Sequence, residues 1–198
     1  MRGQAHTLEA VVAGLVLLSS LIFALQMTAV TPLSASTSSQ HIENQLQASA
    51  EGVLAGGVED GSLRRAILHW NETGSTFVGA TYQGYHAGLP PNNSFGDTLA
   101  WAFDRRGIAY NVYVTYSVGG ADRTRRMVYR GVPSDNAVSA TTTITLTDDA
   151  PLYEHQDGDG VLEPRATTVA TTSQFYAPDT SPHGLYNVVR VEVVAWRI

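Results

Sequence analysis

The chain has 198 residues, a net charge of −6, twelve basic residues that are all arginine, and no cysteine. The missing cysteines exclude disulfides, a thiolate nucleophile and zinc–thiolate sites, and thinly spread negative charge argues against a nucleic-acid surface. Beyond an N-terminal segment of about thirty residues, enough chain remains for one domain of ordinary size.

The chain opens Met1-Arg2-Gly3-Gln4-Ala5-His6-Thr7-Leu8-Glu9, then runs uncharged and largely apolar from Ala10 to Val30. A helix of that length, rising 1.5 Å per residue, reaches roughly 30 Å, the thickness of a bilayer's hydrocarbon core. Arg2 is the only basic residue before the run, and the next is Arg64. That asymmetry predicts a single pass with the N-terminus cytoplasmic and the body outside, in or at the cell membrane. Two sequons, Asn71-Glu72-Thr73 and Asn92-Asn93-Ser94, agree with an external body and make Asn71 and Asn92 candidate N-glycosylation sites. Small residues at Ala10, Ala13, Gly14 and Ala24 permit close helix approach.

Three readings of this N-terminus compete: a secretory signal cut near Ser34-Ala35-Ser36, an uncut signal-anchor, and a third that rests on resemblance. Met1-Arg2-Gly3-Gln4 ahead of a spanning segment resembles the leader of archaeal type IV pilins and archaeal flagellins. The resemblance covers the N-terminal quarter of the chain; the rest has the look of haloarchaeal pilin-like envelope proteins. It implies that a prepilin peptidase cuts between Gly3 and Gln4 on the cytoplasmic side and leaves the apolar helix in place. It also implies an assembly role for Glu9, matching the glutamate near the start of many type IV pilins, though here at the sixth mature position rather than the fifth. Glu9 would then pair with a neighbour's freed amino terminus; otherwise it marks the membrane boundary. A lysine-free, mildly acidic composition resembles proteins of salt-loving archaea, although a GC-rich genome produces the same arginine preference.

The predicted layout is a leader over residues 1–3, a membrane or filament-core helix over 4–31, a kinked external amphipathic helix over 32–57, and an extracellular domain over 58–198. Pro32 should break or kink the first helix. Helical spacing resumes with Ile42, Leu46, Ala50 and Val53/Leu54 on one stripe, and Gly56-Gly57 should end it. Ser62 is placed to cap a short helix with Leu63, Ile67 and Trp70 on one face. Asp97 is placed to cap Thr98 to Arg106, with Gly107 as the stop. The Gly, Tyr, Pro and Asn-rich stretch from Gly79 to Gly96 reads as a loop whose tyrosines form a contact patch. Ile108 to Val118 alternates with period two; Gly119-Gly120-Ala121-Asp122 reads as a turn and Thr124 to Gly131 as the partner strand. Ala137 to Leu146 and Leu185 to Ile198 supply further strands. The fold class predicted is α+β: a long apolar helix, then an antiparallel sheet packed on helices.

No catalytic motif stands out, and the six histidines are scattered without metal-ligand spacing. Arg105-Arg106 and Arg123/Arg125-Arg126 read as solvated charges at element ends. The segment His155 to Glu163 resembles part of an Asp-x-Asp-x-Asp-Gly calcium loop, with Asp157, Asp159 and Glu163 as candidate ligands. The same letters also make an ordinary turn. The function expected is therefore not enzymatic: a pilin-like subunit, minor rather than major, whose partners are membrane lipid, prepilin peptidase and other pilin subunits. The competing expectation is a membrane-anchored extracellular binding module that never polymerises.

Overall fold

The computed structural model describes residues 2–155, 161–181 and 183–197, with residues 2–5 and 27–39 described by backbone alone. The chain divides into two compact units, residues 1–44 and 45–198. Helix α1, Arg2–Glu59, opens in the first and ends in the second. It passes through Pro32 without ending there: proline deletes one backbone N–H, and the turns on either side carry on. Nor does it stop at Gly56-Gly57. The end comes at Glu59, before Gly61 turns the chain at a φ of 73°. Gly57 is there for a different reason. A Cβ on it would stand 3.1 Å from the Leu63 Cβ and 3.2 Å from the Phe95 ring, so a bare backbone lets two later elements approach.

The second unit is α+β, as its sequence pattern predicts. Helix α2 (Ser62–Leu68) and helix α3 (Ser94–Ala102) flank two-residue strands β1 (Trp70–Asn71) and β2 (Thr76–Phe77). A turn of 3-10 helix at Asp104–Arg106 then leads through Gly107, at a φ of 66°, into strand β3 (Ile108–Val118). The remaining strands are β4 (Ala121–Val128), β5 (Val138–Thr147), β6 (Pro151–His155), β7 (Leu162–Thr168) and β8 (Leu185–Arg197). The main sheet has the order β4-β3-β8-β5 with every pair antiparallel; β1-β2 and β6-β7 form separate two-stranded ribbons.

Both helix starts differ from those predicted. At α2 the capping position is Gly61, and the Asp60 carboxylate accepts the Ser62 N–H at 2.7 Å, so Ser62 is the first helical residue. At α3 the cap is Asn93, whose Oδ1 accepts the Gly96 N–H at 3.0 Å, while Asp97 sits in the first turn where its charge favours the helix dipole. The β4 partner strand begins at Ala121, three positions earlier than the sequence suggests. Gly119 and Gly120 both hold positive φ (58° and 83°), which closes a two-residue hairpin turn between Val118 and Ala121.

One continuous core fills the second unit. Leu46, Ala50, Val53 and Leu54 of α1 join Leu63 and Ile67 of α2 and Phe95, Leu99 and Phe103 around α3. Against them stand Tyr110, Val112 and Val114 of β3, Ile144 and Leu146 of β5, and Val189, Val191 and Val193 of β8. Each fully buried aliphatic or aromatic side chain contributes roughly 1.5–3 kcal/mol. A second grouping is aromatic. Trp70 meets Phe77, Phe175 and Tyr176 edge-on at 5.3, 6.3 and 5.1 Å, and Tyr116 lies 5.2 Å from Tyr176. Hydrogen bonds from Trp70 Nε1 to the Gln174 carbonyl (2.7 Å), from Tyr186 OH to the Ala177 carbonyl (2.9 Å) and from Asn187 Nδ2 to the Pro178 carbonyl (2.8 Å) pin the irregular stretch before β8 to the rest.

The arginines do more than sit in solvent. Arg125 and Arg126 lie within β4, over the rings of Trp70 (5.2 Å) and Tyr129 (4.1 Å), and Arg106 lies 5.6 Å from the half-exposed Trp101 ring. Arg130 binds both Asp104 oxygens and the Tyr110 hydroxyl, and its guanidinium stacks 4.1 Å from the Tyr110 ring. At the sheet's two outer strands, other elements take up a few of the free backbone groups. His86 exchanges hydrogen bonds with Met127 and Tyr129 beside β4, and Arg64 donates to the Thr145 carbonyl of β5 at 2.9 Å.

The close approach at α3 yields a measurable contrast. A Cβ at Gly96 would fall 1.8 Å from the Pro91 carbonyl oxygen, whereas one at Gly52 meets nothing within 4 Å. Denaturant unfolding of the full chain in detergent should show Gly96→Ala losing about 2 kcal/mol or more. Gly52→Ala should gain roughly 0.5–1 kcal/mol from helix propensity.

Candidate functional site

The most exposed apolar surface is the start of α1. Between His6 and Gln26 the helix is long and apolar enough to cross a membrane, and all of it is exposed. Leu8, Val12, Val16, Leu17, Leu18 and Leu21 are 52–71 % exposed, and at 100° per residue they point to every side of the helix. The polar groups inside the segment are satisfied locally. Ser19 Oγ donates to the Leu15 carbonyl at 2.8 Å and Ser20 Oγ to the Leu17 carbonyl at 2.9 Å. Hydroxyls closed onto their own helix in this way need no water, which suits an apolar medium. Glu9 is 82 % exposed and lies 3.8 Å from His6 Nδ1, one turn before it. Gly3 and Gln4 fall within the helical span of α1.

A second feature lies in the α+β unit, where β1, β6 and β7 meet. His69, the residue after α2, and His155, the last of β6, contact ring to ring, with centroids 4.8 Å apart and planes at 88°. Beside them Arg165 of β7 donates to Glu72 at 3.0 Å and lies 3.4 Å from Glu154. These residues and Tyr153 line a hollow of about 360 Å³. His69 and His86 are buried, and among the described residues neither Nε2 has a hydrogen-bond partner, nor does His155 Nδ1. Burial first, then repulsion from His155 and His86, pulls the His69 pKa down to about 4; burial alone lowers that of His86. Nothing in the sequence pointed to this group, because the histidines come from the end of α2, a loop and β6, and only folding brings them together.

The other candidates from the sequence are widely spaced. Asn71 ends β1 and Asn92 precedes the α3 cap, both exposed. Asp157 and Asp159 lie outside the described residues. Glu163 is on β7, paired with Glu154 of β6 across an antiparallel ribbon that the sequence reading did not include. Among the described residues no three His, Asp or Glu side chains come together closely enough to hold a metal ion. Of the loop tyrosines, Tyr82 is 98 % exposed, while Tyr85 packs 5.5 Å from Tyr129.

The chain is thus of the class in which a single apolar N-terminal helix precedes an α+β unit of antiparallel sheets. It belongs to a family of unknown function, DUF7288, which matches residues 2–195 and so takes in both the helix and the α+β unit. No curated protein and no solved structure matches it.

Histidines held neutral by burial give the fold an acid sensitivity of defined sign. The unfolded chain protonates His69 near pH 6.5 and the folded one only near 4, so the stability it contributes is complete above pH 6.5 and falls as pH drops toward 4. The loss is on the order of 3 kcal/mol. Unfolding free energies across that window should fall more steeply for the wild type than for His69→Phe, which has no proton to take up. Parallel slopes would remove His69 from the account.

Proposed function

We propose that this protein is a pilin-like subunit, a minor one, of an archaeal type IV pilus or related surface filament, held in the membrane by α1 before assembly. The observation that carries the reading is the α1 segment His6–Gln26: long enough for a bilayer, apolar on all sides, and following directly on Arg2-Gly3-Gln4-Ala5. An amphipathic surface helix needs one dry face, whereas a segment apolar all round suits both lipid and a bundle of like helices. Passage from one to the other leaves its surroundings apolar, and small residues such as Gly14, around which a Cβ would find open space, ease close packing. The same helix continues to Glu59, where Leu46, Ala50, Val53 and Leu54 enter the core of the α+β unit. That continuity supports a role in which the helix carries the unit rather than merely targeting it. In this reading a prepilin peptidase cuts after Gly3, the N-terminus faces the cytoplasm, and the unit lies outside. Glu9, exposed at the start of the span, meets the freed amino group of a neighbouring Gln4. No catalysis is assigned.

A second reading, an anchored binding module that does not polymerise, is favoured by the hollow beside His69 and Arg165. The two differ at the first residue of the mature chain. N-terminal sequencing of protein from its own cells should start at Gln4, and Gly3→Val should leave Met1 in place and abolish recovery of the chain in sheared surface filaments. An intact Met1 in cells with an active prepilin peptidase would sink the filament reading and leave the anchored module. A start near Ser36 would indicate a secreted domain instead.

A further inference from the structure

The sequence contains two sequons and does not distinguish between them; the fold does. We propose that Asn71 carries an N-linked oligosaccharide and that Asn92 does not. The inference rests on the external placement of the α+β unit in the reading above.

Asn71 ends β1 where the chain turns back toward β2, and it is exposed, as are Thr73 and Gly74 after it. Its side chain is already oriented. The Gly74 N–H donates to Oδ1 at 3.1 Å, which fixes the amide plane, and no described residue accepts from Nδ2. Gly74 also keeps that nitrogen clear: a Cβ there would stand 3.0 Å from Asn71 Nδ2. The nitrogen that must form the new bond thus has no acceptor among the described residues, and Thr73 supplies a hydroxyl at the required spacing. Beside the turn lies a hollow of about 500 Å³ whose lining includes Thr73, Thr167, Thr171, Thr172 and Gln174. Such a lining offers both donors and acceptors to the hydroxyls of the first sugars.

Asn92 is equally exposed but its sequon is built into a helix start. The middle residue, Asn93, is 3 % exposed and caps α3, and Ser94 is the first residue of that helix, its carbonyl accepting from Thr98 Oγ1 at 3.0 Å. Presenting this sequon to a transferase requires the cap to come undone, and the tight contact between Gly96 and the Pro91 carbonyl would have to open with it. The Asn71 sequon caps no helix: its middle residue, Glu72, is held among the described residues only by the Arg165 ion pair, and Asn71 and Thr73 on either side are exposed.

The reaction is glycosyl transfer from a lipid-phosphate-linked oligosaccharide. A bond forms between Asn71 Nδ2 and the anomeric carbon as the bond from that carbon to the carrier's phosphate oxygen breaks. The bonding electrons leave with the lipid phosphate, and one Nδ2 proton is lost to a base of the transferase.

The test is mass spectrometry, with fragmentation that locates sugars, on the full chain isolated from its own cells, alongside Asn71→Gln, Thr73→Ala, Thr73→Ser and Asn92→Gln. The expected result is sugar on Asn71, lost completely in Asn71→Gln and Thr73→Ala, kept in Thr73→Ser, and unchanged in Asn92→Gln. Thr73→Ala leaves Asn71 and its turn bond in place, so its loss of sugar reports the sequon rather than misfolding. Protease added to intact cells separates the two ideas. A digested, hence external, unit with bare Asn71, or with sugar on Asn92 alone, overturns this inference and leaves the filament reading standing. A protected unit with bare Asn71 overturns both.

Discussion

The apolar surface of α1 constrains where this chain can reside. Eleven large aliphatic or aromatic side chains between Leu8 and Leu25 are about half or more exposed. Fully burying one such side chain is worth roughly 1.5–3 kcal/mol. Leaving the set in water would therefore cost more than the ~5–15 kcal/mol by which a typical domain is stable at all. The segment needs an apolar environment, and its chemistry is consistent with that need along its whole length. Ser19 and Ser20 close their hydroxyls onto backbone carbonyls, and ionisable groups occur only at its N-terminal end, where His6 and Glu9 face each other.

The α+β unit depends on a different principle: its helices and sheet are joined through contacts distant in sequence. The last strand, β8, lies between β3 and β5 in the main sheet, so the sheet closes only when the C-terminal residues arrive. Trp70 holds the irregular stretch around Gln174 by a hydrogen bond and by edge-on rings, and Asn187 ties that stretch to β3 through Ser117. The buried histidines lie beside this junction. Their lowered pKa values follow from the same dryness that lets the aromatic rings pack.

What the sequence revealed depended on how local the cause was. Strand β3 could be read from its alternation and its Gly-Gly end, and β8 from its run of valines, because period and turn chemistry are neighbour effects. The helix starts were less legible: Asn93 and Asp97 are both competent caps, and only the approach of Gly96 to Pro91 selects the first. The glycine pair Gly56-Gly57 looked like a stop, but packing against Leu63 and Phe95 gave Gly57 another use. The β6–β7 ribbon was missed because its stability comes from register and from Arg165 reaching Glu72 and Glu154, which no window of sequence displays. Among candidate sites the apolar helix was evident from composition alone. The hollow beside His69 was not, since its walls come from distant parts of the chain.

The partial occupation of the main sheet's outer strands has a consequence for crowding. A bare edge strand offers unpaired N–H and C=O groups to any similar edge, a route to uncontrolled strand pairing between molecules. Here His86 takes up the Met127 and Tyr129 positions beside β4, Arg64 occupies the Thr145 carbonyl on β5, and Arg123, Arg125 and Arg126 add charge along β4. At those positions a second copy brought to high local density finds the backbone already bonded, which hinders pairing into a common sheet there.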